Sequence, residues 1–295
     1  MVGELLDFVR SVKQLVPIEI KEYYWAALEV WSSPGLWALL GFVLVWERVQ
    51  PADPKQPIFS WSTLQDFLWF NIDVALGLAL IPALAGGVQL LYNRVSGGYV
   101  LHIAASWPSI VRIVFAVLLL DLLFYFKHWF IHRVKPLWHF HVIHHSQREM
   151  NIFTDRRQHV CEHILTQTMV VLPLVALGLK PMAVMTVGAF FWWHTLFIHA
   201  NIRTNFGPLG WVFVSPQFHR VHHSIEVPHW DKNFGAFVTF WDRMFGTMYH
   251  GIHEYPATGV KDVDFPPPKS LKPQAWIADL GRQLWYPFRT ILKLK

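Results

Sequence analysis

Apolar stretches long enough to cross a bilayer, separated by short polar runs, constrain this chain before any motif does. A helix rises 1.5 Å per residue, so a hydrocarbon layer of about 30 Å takes ~20 apolar residues. Residues 25–46, 64–92 and 110–126 reach or approach that length. The region 164–200 is too long for one crossing and is broken at Gly178, Lys180 and Pro181, the pattern of a helical hairpin with spans over 164–179 and 182–200. Composition agrees, because 53% of the residues are hydrophobic and only 15% are charged, where soluble domains carry about 25% charged residues. Sixteen Trp and 23 Phe add to this, since indole rings favour the membrane–water interface. The expected fold is therefore an all-α membrane protein with four to five transmembrane helices and a cytosolic histidine-rich helical cap, in one domain over residues 1–295.

Basic residues orient it. The stretch between the third and fourth spans carries Lys127, Arg133, Lys135, Arg148, Arg156 and Arg157, against Lys180 alone in the hairpin turn, which puts the stretch on the cytoplasmic side. Arg48 and Lys55 fall on the same side. The cap is expected over 127–163 and 201–250, since no stretch after Ile202 is apolar enough to span. The formal net charge of +5 is spread out and not gathered into a nucleic-acid-binding run. The start, MVGELLDFVRSVKQLVP, lacks the basic leader and small-residue cleavage site of a signal peptide. Over 270–295, Trp276, Ile277, Leu280, Leu284 and Trp285 recur at helical spacing beside Arg282, Arg289, Lys293 and Lys295. That pattern fits a helix lying in the membrane interface, or equally one packed on the cap.

Fifteen of the 17 histidines lie between His128 and His250, and their spacing is more informative than their number. His128 and His132 stand four apart, on one face of a helix. His141, His144 and His145 form HVIHH, and His219, His222 and His223 repeat the pattern as HRVHH. On a helix these intervals bring imidazoles together, so that their nitrogens can converge on a metal. His199, at the end of the hairpin's return helix, is a further candidate ligand. The roles of His194, His159 and His163 stay open, whereas His102, His139, His229, His250 and His253 lack the spacing and read as ordinary structural or surface residues.

Eight or nine nitrogens exceed what one tetrahedral zinc can use, which implies two ions. Cys161 is the only cysteine, so a thiolate cluster and an intrachain disulfide are both excluded. A metal pair at the membrane face beside an apolar bundle suits the oxidation of lipid C–H bonds, and iron is the metal expected. Asp121, Glu162, Asp231 and Asp242 are candidates to orient imidazoles from behind. Two other classes compete. A membrane-embedded zinc hydrolase would be expected to carry HExxH, but the pair His253–Glu254 is followed by Ala257 in place of the second histidine. A metal transporter would place its histidines within the spans and not beyond their ends.

The motifs DLLFYFKHWFIH, PLWHFHVIHHS, NIFTDRRQHVCEH, HANI, SPQFHRVHHS, DKNFG and WDRMFGT, in this order from Asp121 to Thr247, resemble the fatty acid hydroxylase and sterol desaturase superfamily of integral membrane diiron oxygenases. His128, His132, His141, His144, His145, His219, His222 and His223 fall on that family's three histidine boxes, and His199 on the further histidine often found after the hairpin. Lys127 and Trp129 flank His128 where the family more usually has an aromatic residue and arginine, and Val160 stands where it often has proline.

The resemblance implies two iron ions and O2 as co-substrate. It also implies hydroxylation or desaturation of a membrane lipid such as a fatty acyl chain or sterol. No GxGxxG or CxxCH motif is present, so electrons are expected from an external donor, cytochrome b5 or a ferredoxin-type carrier with its reductase. The Ile291–Lys295 tail has no dilysine retrieval pattern, which favours a bacterial inner membrane over the endoplasmic reticulum. His144→Ala is predicted to abolish turnover while leaving membrane insertion intact. Full activity in that variant would contradict the ligand assignment.

Overall fold

The computed structural model describes residues 34–79, 107–177 and 181–293, with short pieces between 87 and 97. Residues 25–33 and 80–86 of the expected spans, the turn at 178–180, and His102 lie outside the described residues. Among the described residues the regular structure is helical, joined by isolated bridges and without strands.

Helix α1 (Pro34–Val49) and helix α2 (Trp61–Ala79) precede α3 (Ser109–Arg133). Among the described residues, α3 is the one helix long and apolar enough to cross a membrane. The expected span over 110–126 does not stop there. No Gly or Pro interrupts SIVRIVFAVLLLDLLFYFKHWFIHR, so the helix runs on through His128 and His132 and carries the first histidine pair as its last two turns. Val134 then turns extended, its N–H donating to the carbonyl of Phe130 at 3.0 Å. Helix α4 (Lys135–His145) starts at once, with Pro136 in its first turn, where a missing N–H breaks no helical bond. This corner folds HVIHH back against the end of α3.

After a 3-10 turn (Ile152–Arg156) comes α5 (Val160–Thr166). The helix widens to a π segment over Gln167–Val171 before α6 (Leu172–Ala176). A π segment rotates the residues after it relative to those before. Glu162 can therefore face the histidines while Val170 and Leu174 pack on Leu120 of α3 and Phe191 of the next helix. That helix, α7 (Pro181–Ile198), delivers His199 at its end. Short helices α8 (Pro216–His222) and α9 (Phe240–Met244) lie in an otherwise irregular cap, and α10 (Pro273–Ile291) closes the chain. A second apolar cluster, built on Leu40, Val43, Phe70, Ile152, Leu196 and Ile202, joins α1, α2, the 3-10 turn and the end of α7.

The packing of α2, α4 and α10 is polar at its centre. Arg157, 1% exposed, donates to Asp66 at 2.9 Å, Gln65 at 2.6 Å and Gln283 at 3.0 Å. Asp66 also accepts from Gln147, Asn151 and Thr154, at 2.7, 2.8 and 2.6 Å. Helix α10 buries Asp279 and Gln283, which bond Gln65 and Trp69 of α2. Of the two sequence readings of this helix, packing on the body is realised, through Asp279 and Gln283 and through Leu280, Leu284 and Tyr286 against Trp69, Ile143 and Phe265, while Ile277 and Trp285 face outward. A buried charge stripped of its partner costs about 3–5 kcal/mol, so Arg157→Ala is expected to lower the unfolding temperature markedly in a detergent melt. A shift no larger than that of an exposed control such as Lys261→Ala would show that the pair carries little of the packing.

Candidate metal centre

The sequence that places histidines on a helix does not say which ones share a site. All nine expected ligands meet in the interior, in two sets. His128, His132, His141, His145 and His222 form one, and His144, His199, His219 and His223 the other, each set offering one nitrogen per residue within 4.8 Å of the rest. Each HxxHH motif is divided between them. On α4 the i,i+4 pair His141 and His145 joins the first set and His144 the second. On α8 the pair His219 and His223 joins the second set and His222 the first. Positions three and four residues on from a given one differ by about 100° around a helix, so each short helix serves both sets from two adjoining faces. The expectation that the three histidines of one motif would act together is thus replaced by a two-to-one division.

The backs of the rings explain their direction. His128 Nδ1 donates to the carbonyl of Phe234 at 3.1 Å, His144 Nδ1 to Thr154 at 3.2 Å, His199 Nδ1 to Thr195 at 2.6 Å and His222 Nδ1 to Lys232 at 2.7 Å. A carbonyl only accepts, so in these four rings the proton of the neutral imidazole sits on Nδ1 and Nε2 presents a bare lone pair. His141 Nδ1 faces the Glu162 carboxylate at 2.9 Å and is fixed in the same sense. In the first set all five Nε2 atoms are buried without a hydrogen-bond partner. In the second set Nε2 of His199 lies 3.2 Å from that of His144 and 2.9 Å from that of His219, which is 3.1 Å from His223 Nε2. Two bare lone pairs at such distances, as between His144 and His199, repel one another. A shared cation converts that repulsion into ligation.

Burial keeps the rings neutral and ready to ligate. Desolvation, and after it the neighbouring imidazoles, drive His144, His145, His219 and His223 well below the usual histidine range. Desolvation takes His222 to about 3 against the bond to Lys232. Glu162 goes the other way. Burial would raise its carboxyl, but the interaction with His141 at 2.9 Å, with Lys127 at 3.9 Å, outweighs burial and holds it at about 2. It is an anion at neutral pH, able to orient His141 and balance a bound cation.

The other proposed carboxylates do different work. Asp121 accepts the backbone N–H groups of Phe237 and Val238 and the indole of Trp241. Asp242 accepts the N–H groups of Phe234 and Gly235, shaping the loop whose Phe234 carbonyl holds His128. Asp231 pairs with Arg133 at 3.2 Å. Sequence reading missed Asp155, 3.5 Å from His199 Nδ1, and the four carbonyls, since a backbone oxygen leaves no signature in a sequence.

Neither set includes the three undecided histidines. His159 bonds the Leu284 carbonyl at 3.1 Å, His163 faces Asp73 at 2.8 Å, and His194 packs on Phe237. His229 is held between Ser224 and Glu254, and His139, His250 and His253 also stand apart.

The geometry defines a class, a helical protein with two adjoining all-histidine clusters, each of which could hold a metal ion. The model of the fatty acid hydroxylase family matches residues 113–247, the segment that holds the whole cage, so this part of the chain is similar to that family. Ornithine lipid hydroxylase OlsE of Rhizobium tropici is 28% identical over 228 residues, covering 75% of this chain and 68% of that protein. Alkylglycerol monooxygenase of Homo sapiens is 33% identical over 142 residues, 48% of this chain and 32% of that protein. Human cholesterol 25-hydroxylase is 26% identical over 143 residues, 46% and 51% of the two chains. The chain thus spans about a third of the length of the alkylglycerol monooxygenases it matches. No solved structure matches it.

Removing a carboxylate behind a ligating histidine typically costs about ten- to a hundredfold in metal affinity. Glu162→Ala is expected to lower metal affinity by that order in a chelator competition, with the helical content unchanged. Unaltered affinity would deny Glu162 an orienting role.

Proposed function

We propose that the chain is a multi-pass membrane monooxygenase that holds two iron ions and hydroxylates a C–H bond of a membrane lipid. The observation that carries the metal reading is the convergence of inward Nε2 atoms, five buried without a hydrogen-bond partner around one position and four crowded against one another around the other. Iron is favoured over zinc because five nitrogens in one set exceed a tetrahedral shell. When bound, the iron pair supplies the activation of O2 needed to attack an unactivated C–H bond.

The chain's own residues fix and shield that chemistry. The carbonyls of Thr154, Thr195, Lys232 and Phe234 lock the rings, and Glu162 does so for His141. Phe234 packs on His132 and His222 with ring centroids 5.1 and 5.5 Å apart, and Trp138 on His132 and His145 at 4.9 and 5.3 Å. These rings keep water from the first set and preserve the low dielectric in which a reactive site is protected from side reactions.

Hydroxylation is preferred to desaturation because the named relatives are hydroxylases and monooxygenases, and a polar-headed acyl or alkyl lipid is the substrate class they suggest. The proposed topology has four to five spans with the cage on the cytoplasmic face of a bacterial inner membrane. Electrons would come from a cytochrome b5 or ferredoxin-type donor with its reductase. Purified protein is expected to carry two equivalents of iron with a Mössbauer signature of a nitrogen-ligated pair. Cells expressing it under isotopically heavy O2 should accumulate a membrane lipid heavier by one labelled oxygen atom. A single bound zinc, with activity that persists without O2, would sink the oxygenase reading and favour a zinc hydrolase.

A further inference from the structure

The cap segment from Phe234 to Thr247 does not stay beside the cage. The Phe234 carbonyl meets His128, the N–H groups of Phe237 and Val238 reach Asp121, and Thr247 returns to Tyr125, its hydroxyl 2.8 Å from the phenol. His128 and Asp121 are seven residues apart on α3, about 10 Å along its axis. The segment therefore descends along α3, away from the cage, to the depth of the apolar stretch that qualifies this helix to cross a membrane.

The tip of the descent is apolar and uncovered. Phe240 and Met244 are 50% and 60% exposed, and Trp211, on the neighbouring turn Gly207–Trp211, is 68% exposed. That turn is tied to the tip by Thr239, which donates from its N–H to Val212 and from its hydroxyl to Trp211. Arg243 lies over the Trp211 ring at 5.2 Å, an arrangement that lets a guanidinium reach headgroups while its stem stays among apolar groups. The patch is continuous with the outer face of α3. Phe245 packs on Phe126 at 5.1 Å, and Phe126 continues the exposed stripe of Ile110, Val114 and Leu118. Phe237, just before the tip, packs on exposed Phe190 of α7 at 5.3 Å. The same solvent must therefore bathe the stripe and the tip.

We propose that α9 and the turn Gly207–Trp211 form a membrane-inserted wedge, with Phe240, Met244 and Trp211 among lipid chains and Arg243 at the headgroups. The wedge rests on the reading of α3 as membrane-crossing and extends it to a part of the cap that no hydropathy window detects. Asp121 serves it as an anchor, satisfying two backbone N–H groups and an indole where water is scarce. The inserted tip would also hold the cap, and with it one wall of the cage, against the bilayer that holds the substrate.

Spin labels decide it. In a Cys161→Ser background reconstituted in phosphatidylcholine–phosphatidylglycerol vesicles, Met244→Cys and Trp211→Cys test the wedge. Val114→Cys tests α3, and Lys261→Cys serves as an aqueous reference; size-exclusion elution identifies any variant that misfolds, and Phe240→Cys replaces it. Labels at Met244, Trp211 and Val114 are expected to be more accessible to O2 than to a water-soluble nickel chelate, with the order reversed at Lys261. A lipid-like label at Val114 with a water-like label at Met244 would overturn the wedge and leave α3 as a span. A water-like label at Val114 would overturn both. A Met244 label shielded from both probes would mean that protein, not lipid, covers the tip, and would also overturn the wedge.

Discussion

Four backbone carbonyls and one carboxylate, each holding the outer nitrogen of an imidazole, set the constraint around which the structure is organised. An imidazole whose Nδ1–H is committed outward has its lone pair directed inward, and nine buried rings of which five are held this way make an interior that is costly without a cation. The groups that hold them come from distant parts of the chain: the 3-10 turn after α4, the last turn of α7, the loop after α8, and α5. Each therefore has to be fixed by packing of its own. The cage is the shared end point of five helices and two loops, and none of them can be displaced without turning a ring.

The polar interior beneath α4 follows from the same demand. Thr154 must present its carbonyl to His144, and its hydroxyl is bound to Asp66. Asp66 is held by Arg157, and Arg157 by Gln65 and Gln283. An apolar core there would pack as well but would leave the carbonyl's position to chance. Networks of this kind are worth their desolvation when every member is satisfied. Beside the network, Glu162 faces a histidine of one set and Asp155 lies close to a histidine of the other, so each set has a nearby carboxylate that would offset the charge of a bound cation.

Much of this was readable from the chain and some was not. Eight of the nine clustered histidines were legible because helical spacing is a local property, and HxxHH occurs twice with HxxxH once; His199 was legible only from its place at the end of the hairpin and from the family resemblance. The continuation of α3 through its histidines follows from the lack of any Gly or Pro before Val134. The roles of Asp121 and Asp242 were not legible, because a carboxylate that receives backbone N–H groups from a loop more than a hundred residues away, as Asp121 does from Phe237 and Val238, looks in sequence like one that backs a histidine. The descent of α9 was hidden for a related reason. A five-residue helix with an Asp and an Arg among its residues has no hydropathy signal, and its depth is set only by what it touches.

The sequence by itself determined which imidazoles have the spacing to converge, that they are more than one tetrahedral ion would use, and that they stand beside apolar helices, since all three depend on residue type and short-range spacing. The tertiary structure decided how the nine are shared. The corner at Val134 sets α4 against α3, α8 approaches from the opposite side, and each HxxHH motif is cut into two and one. A helix fixes the angle between its own residues but not the direction from which another helix meets it, and the division into five and four is a property of that meeting.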